Sequence, residues 1–123
     1  MKNIIALCFI AIIFSCKGQN TIQTTKIDLT TLQEKAIGKD VQLVDVRTPK
    51  EYNAGHIDDA INIDISDKEN FIREVNKLDK DKPIYIYCHI GGRSNKVSKI
   101  LESQGFAEVY DFSGGWKTWS KNN

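Results

Sequence analysis

The chain has 123 residues, enough for one domain and no more. Apolar residues make up 41% of it and charged residues 27%, ordinary values for a globular protein. Seventeen basic residues stand against sixteen acidic ones, so no basic surplus points to nucleic acid or to an anionic membrane face.

The N-terminus departs from that balance. Lys2 precedes an unbroken apolar run from Ile4 to Phe14, eleven residues long, followed by Ser15-Cys16. A bilayer-spanning helix needs about 20 apolar residues, so the run fits the h-region of a secretory signal. Ile13-Phe14-Ser15-Cys16 resembles a bacterial lipobox, in which cleavage leaves the cysteine first and its sulfur carries diacylglycerol. That resemblance implies a lipoprotein-type signal peptide over 1–15, a lipidated Cys16 and a membrane partner reached through the lipid. The expected location is the cell envelope, facing the periplasm. Two acyl chains hold a protein stably on a bilayer, where one is marginal. An ordinary secretory signal or an uncleaved anchor is the alternative. Residues 16–26, rich in Gln, Asn, Thr and Lys, have no apolar period and are expected to form a flexible tether. Cys8 is a small hydrophobe within the apolar run. With Cys16 acylated, Cys88 is the thiol that remains, which excludes an internal disulfide and a Cys-x-x-Cys mechanism.

The folded domain is expected over 27–121. Strands are predicted around Ile27 and at Val41–Asp45, Ile61–Ile63, Ile84–Tyr87 and Val109–Phe112. Their near-continuous apolar character suggests burial on both faces, as parallel strands require. Helices are predicted between them from three capping-box signatures, Thr31…Glu34, Thr48…Glu51 and Ser66…Glu69, with Pro49 at the favoured first position after Thr48. After Ser66, an apolar face recurs at Phe71, Ile72, Val75 and Leu78. A further helix carries Val97, Ile100 and Leu101 and ends at Gly105 with Phe106 placed for a Schellman cap. Trp116 and Trp119, three apart on a short terminal helix, are expected to pack. Alternating strands and helices imply right-handed crossovers and an α/β layered domain.

The chemistry concentrates at Cys88-His89-Ile90-Gly91-Gly92-Arg93-Ser94, where a strand ends and a helix begins. Gly91 and Gly92 permit a tight turn that brings backbone N–H groups close to its centre. Those groups, with the free N–H groups of the helix's first turn, favour a negative charge there. A thiolate is such a charge, and Arg93 adds a positive one nearby. A nucleophilic sulfur at neutral pH is the expected result. His89, Ile90, Gly91, Gly92, Arg93 and Ser94 are the candidates for substrate contact. Asp45 and Arg47, at the C-terminal end of a strand, are expected to buttress the loop as an ion pair. His56 is expected to be structural. Cys88, His89 and His56 match no zinc spacing and lack a fourth ligand, so no metal is expected.

The loop resembles that of single-domain rhodaneses, sulfurtransferases whose active loop reads Cys-x4-Arg. Val44-Asp45-Val46-Arg47-Thr48-Pro49-Lys50-Glu51-Tyr52, Gly55-His56-Ile57-Asp58-Asp59-Ala60-Ile61-Asn62-Ile63 and Gly114-Gly115-Trp116 are similar to three more motifs of that family, in its order and spacing. The resemblance implies a rhodanese-like α/β fold, a parallel β-sheet flanked by helices on both faces. It implies that Cys88 takes a sulfane sulfur from a small donor such as thiosulfate, holds it as a persulfide and passes it to a thiol or to cyanide, with no cofactor. Arg93 either orients the anionic donor or braces the loop from outside. Two other classes compete. Cysteine-dependent phosphatases, one group of which shares this fold, and arsenate reductases are one; the phosphatases place five residues between Cys and Arg, whereas this chain places four. A non-catalytic binding module of the same fold is the other, and an intact cysteine loop argues against it.

Overall fold

The computed structural model describes residues 23–123. The signal segment 1–15, with Cys8, and Cys16 lie outside the described residues, as does most of the tether. In chain order the elements are β1 (Thr25–Ile27), α1 (Leu29–Lys35), β2 (Gln42–Asp45), α2 (Pro49–Ala54), β3 (Ile61–Asn62), α3 (Lys68–Val75), β4 (Ile84–Tyr87), α4 (Gly92–Ser103), β5 (Val109–Phe112) and α5 (Gly115–Asn122). The strands form one five-stranded sheet in the order β1-β5-β4-β2-β3, and every recorded pairing is parallel. The expected α/β architecture is the one found.

Alternation along the strands divides the core in two. Ile84 and Ile86 of β4 face one side with Val44, Phe71, Val97 and Leu101. Tyr85 and Tyr87 face the other with Leu32, Leu43, Ile57 and Phe112. The period of two puts successive side chains on opposite faces, so a continuous apolar run is what a sheet covered on both sides needs. Helices α3 and α4 cover the first face; α1 and α5 cover the second, Trp116 and Trp119 packing against it. Each fully buried side chain such as Phe71 or Leu32 contributes about 1.5–3 kcal/mol of transfer free energy.

The helix starts correct two expectations. Thr48 makes the full capping box: its hydroxyl accepts the Glu51 N–H and Glu51 reaches back to the Thr48 N–H. Helix α1, however, is capped by Asp28, whose Oδ1 accepts the Thr31 N–H at 2.9 Å. Helix α3 is capped by Asp67, which accepts from Asn70 at 3.1 Å. Ser66 is drawn instead into a local turn, with its N–H and hydroxyl both donating to Asp64. In both cases an aspartate stands next to or near the expected hydroxyl residue, and a carboxylate is the stronger acceptor of a free helix N–H. The domain limits also move: Thr25 and Lys26, assigned to the tether, belong to β1, and α5 runs to Asn122. The Schellman cap is present, with Phe106 N–H donating to Leu101 O and Gly105 N–H to Glu102 O.

Register gathers the functional segments at one end of the sheet. Asp45 pairs with Tyr87, and Ile86 with Asp111. The residues that follow β2, β4 and β5 therefore emerge side by side at the strands' carboxyl ends, where ligand sites of α/β sheets form.

Candidate active site

Cys88 leaves the end of β4 and remains 1% exposed, packed within the apolar cluster of the α3–α4 face. His89 and Ile90 follow it into solvent, Ile90 at 65% exposure. The chain then turns through Gly91, whose φ of +96° lies in the left-handed region, and enters α4 at Gly92. That turn brings the Gly91 N–H to 3.1 Å from the Cys88 sulfur. The sulfur also sits at the N-terminal end of α4, where unpaired N–H groups favour an anion. The Cys88 thiol donates to the Ser94 hydroxyl at 3.6 Å, and Ser94 in turn donates to the Gly91 carbonyl at 3.3 Å.

The two glycines are unequal. A side chain at Gly91 would need the same positive φ and would meet the Ser113 carbonyl oxygen at 2.8 Å. At Gly92 a Cβ would meet nothing, and its φ is not positive. The tight approach expected of the pair is therefore the work of Gly91.

Arg93 turns its guanidinium toward helix α2. Its guanidinium makes two bonds to Glu51, NH1 to Oε1 at 2.6 Å and NH2 to Oε2 at 2.9 Å. Glu51 Oε1 also accepts from the Thr48 hydroxyl at 3.1 Å, so the α2 cap and the loop's arginine share one carboxylate. The Arg93 hydrogen bonds hold the Glu51 carboxyl at about 2, against its ordinary 4.5. Glu51 in turn raises the Arg93 guanidinium further. Sequence reasoning placed Glu51 in the cap and missed this second role. A conventional helix start gave no sign that the residue reaches across to a loop 42 positions later.

Asp45 and Arg47 form the buried pair that was expected. Both are at most 2% exposed, with Arg47 NH2 2.6 Å from Asp45 Oδ2. Arg47 also donates to the Gly55 carbonyl at 2.7 Å, and its guanidinium lies between the rings of Tyr87 and Trp116, 5.7 and 5.1 Å from their centroids. Burial pushes the Tyr87 phenol up strongly, keeping it neutral, and its oxygen accepts the Ile57 N–H. Arg47 connects the ion pair to the loop through Trp116. It backs Trp116, whose N–H donates to the Cys88 carbonyl at 2.9 Å.

That last contact belongs to a second device. The first N–H groups of α5 are spent on the Cys88 loop: Trp116 donates to Cys88 O and Lys117 to His89 O at 3.1 Å. Gly115 permits it, with φ +59° and a hypothetical Cβ only 2.5 Å from both carbonyl oxygens. The Gly114-Gly115-Trp116 motif was visible in the sequence, but its contact with the loop was not. His56 is engaged elsewhere, stacked on Tyr52 at 3.9 Å with Nδ1 3.0 Å from the Tyr52 carbonyl.

The family model described as Rhodanese-like domain matches residues 28–122. A Bacillus subtilis protein of uncharacterised function, YqhL, is 35% identical over 97% of this chain and 94% of its own length. The thiosulfate sulfurtransferase GlpE of Shewanella oneidensis is 33% identical over 79% of this chain and 93% of its own. Among solved structures, a rhodanese-like domain protein from Staphylococcus aureus superposes with a TM-score of 0.67 at 34% identity, covering 77% of this chain and 90% of that one. With its cysteine loop, parallel sheet and matching motifs, the chain belongs to the rhodanese-like domain family.

Proposed function

We propose that the protein is a sulfurtransferase in which Cys88 carries a sulfane sulfur as a persulfide. The observation that carries this reading is the Cys88 sulfur itself, within 3.1 Å of the Gly91 N–H at the N-terminal end of α4. The thiolate attacks the outer sulfur of a donor such as thiosulfate. A new S–S bond forms to Cys88, the donor's own S–S bond breaks, and sulfite leaves with the bonding electrons. A thiol or cyanide acceptor then attacks the outer sulfur, and the Cys88 thiolate departs. The persulfide's charge rests on its outer sulfur, so N–H donors around the loop favour the intermediate as well as the thiolate.

Arg93 serves as brace, since both of its terminal nitrogens are held by Glu51. Donor contact falls to the exposed His89 and Ile90 and to the loop backbone. Hydrolysis of phosphate esters is disfavoured by the four-residue spacing between Cys88 and Arg93, which leaves a narrower cradle than phosphatases use. The test is intact mass spectrometry after exposure to thiosulfate. A gain of one sulfur atom in the wild type, absent from Cys88→Ser, is the expected outcome. No gain with any sulfane donor, or a gain that survives Cys88→Ser, would overturn the reading.

A further inference from the structure

Asp111 is a buried acid that the site as described does not use. It lies on β5 at 1% exposure, and among the described residues neither carboxyl oxygen has a hydrogen-bond partner. An ionised carboxylate without partners is the costliest state for such a group, so the fold favours the neutral acid. Burial pushes the carboxyl up from its ordinary value, while the neighbouring Ser94 hydroxyl and the Lys26 charge pull it part of the way back. The groups facing it can be named element by element. Lys26 stands at the paired position on β1, and uncharged Ile86 at the paired position on β4. Helix α4 presents Ser94, beyond which lies Cys88. The other charged residues of α4 are engaged elsewhere: Arg93 on Glu51, Glu102 on Thr24, Lys96 and Lys99 along a separate groove with Ile65 and Lys68.

Ser94 is therefore the link between a buried acid and the nucleophile. A hydroxyl has one proton to give and two lone pairs to offer. Here it accepts from the Cys88 thiol and gives its proton to the Gly91 carbonyl, the arrangement for a neutral sulfur. A sulfur anion, thiolate or persulfide, has no proton to give and needs one offered. Ser94 meets that need by turning its proton to the sulfur, which leaves its own lone pair without a donor. A neutral carboxylic acid is that donor. We propose that Asp111 is a positioning residue which, as the neutral acid, donates to Ser94 so that Ser94 donates to the sulfur anion on Cys88. The role rests on the sulfur chemistry assigned above. Ionised Asp111 reverses the chain, drawing the Ser94 proton to itself and away from the sulfur.

The experiment measures thiosulfate-to-cyanide transfer against pH in the full chain for wild type, Asp111→Asn and Asp111→Ala. It also measures the ultraviolet absorbance of the Cys88 thiolate as a difference from Cys88→Ser. Asparagine keeps an N–H donor and cannot ionise, so it should retain the wild type's highest activity and lose the decline that Asp111 ionisation imposes as pH rises. Alanine supplies no donor and should lower transfer about tenfold, the scale of one hydrogen bond to a charged group. An Asn variant that keeps the decline, or an Ala variant equal to wild type, would overturn the role. Should Asp111→Ala fail to fold, Ser94→Ala breaks the same chain and must show the same loss. If the wild type transfers no sulfur, the sulfurtransferase reading fails, and the absorbance still decides. The thiolate fraction at neutral pH must then fall in Asp111→Ala but not in Asp111→Asn; equal fractions refute the role.

Discussion

Replacing Glu51 separates two contributions that meet on one carboxylate. Glu51→Gln keeps an oxygen able to complete the cap with Thr48 but removes the charge from Arg93; Glu51→Ala removes both. Glu51 and Arg93 side chains are 34% and 37% exposed, so solvent screens their attraction, and the bidentate pair is worth only about 0.5–1 kcal/mol. Glu51's own half of the capping box, accepting the Thr48 N–H, adds about 1 kcal/mol. Glu51→Gln should therefore cost about 0.5–1 kcal/mol and Glu51→Ala about 2 kcal/mol in urea unfolding near neutral pH. A double-mutant cycle with Arg93→Ala should recover the pair's share. The pH dependence gives a sharper test. The folded protein holds Glu51 at about 2, below its ordinary 4.5, so the pair's stabilisation is complete above about 4.5. It fades as pH falls from there toward about 2, and the wild-type advantage over Glu51→Gln should shrink across that window. An advantage that stays constant or grows on acidification would refute the reasoning.

The remaining predictions concern the loop's other supports and the N-terminus. Gly115→Ala places a methyl 2.5 Å from the Cys88 and His89 carbonyl oxygens at φ +59°. It should cost about 2–4 kcal/mol, read from thermal or urea unfolding, and should displace the loop enough to abolish sulfur transfer. Asp45→Asn leaves Arg47 buried opposite a neutral amide and should cost about 3 kcal/mol in urea unfolding; a loss below about 1 kcal/mol would show that the Gly55 carbonyl and the two aromatic rings suffice. Cys16→Ser should release the protein from membranes or block its processing, checked by fractionation, and unchanged partitioning with normal processing would exclude lipid attachment at Cys16.

Much of the fold was legible because its signals are local and periodic. Gln42–Asp45, one residue shorter than expected, and Ile84–Tyr87 are strands covered on both faces. The loop was legible because Cys88, Gly91 and Arg93 sit within six residues of one another. What escaped were contacts between segments far apart in sequence. Glu51 resembled a cap and nothing more. Asp111 lay in a strand whose other residues set its pattern, and only the fold shows that it is buried with no hydrogen-bond partner among the described residues. Asp28 and Asp67 escaped for a different reason: several adjacent residues could cap the same helix, and spacing alone does not rank a carboxylate against a hydroxyl.

The strand order has a temporal side. Made from the N-terminus onward, the chain releases β1 long before it has any neighbour, because the place beside it is filled only by β5. Until then β4 and the Cys88 loop have one open flank. When β5 arrives, it joins β1 to the sheet, brings Asp111 with it and leads directly into the helix whose first N–H groups grip the loop. A chain broken before Gly115 would still display the cysteine but without those N–H groups on its carbonyls. Assembly of the sheet and fastening of the Cys88 loop are thus one event, set by the segment that emerges after Cys88.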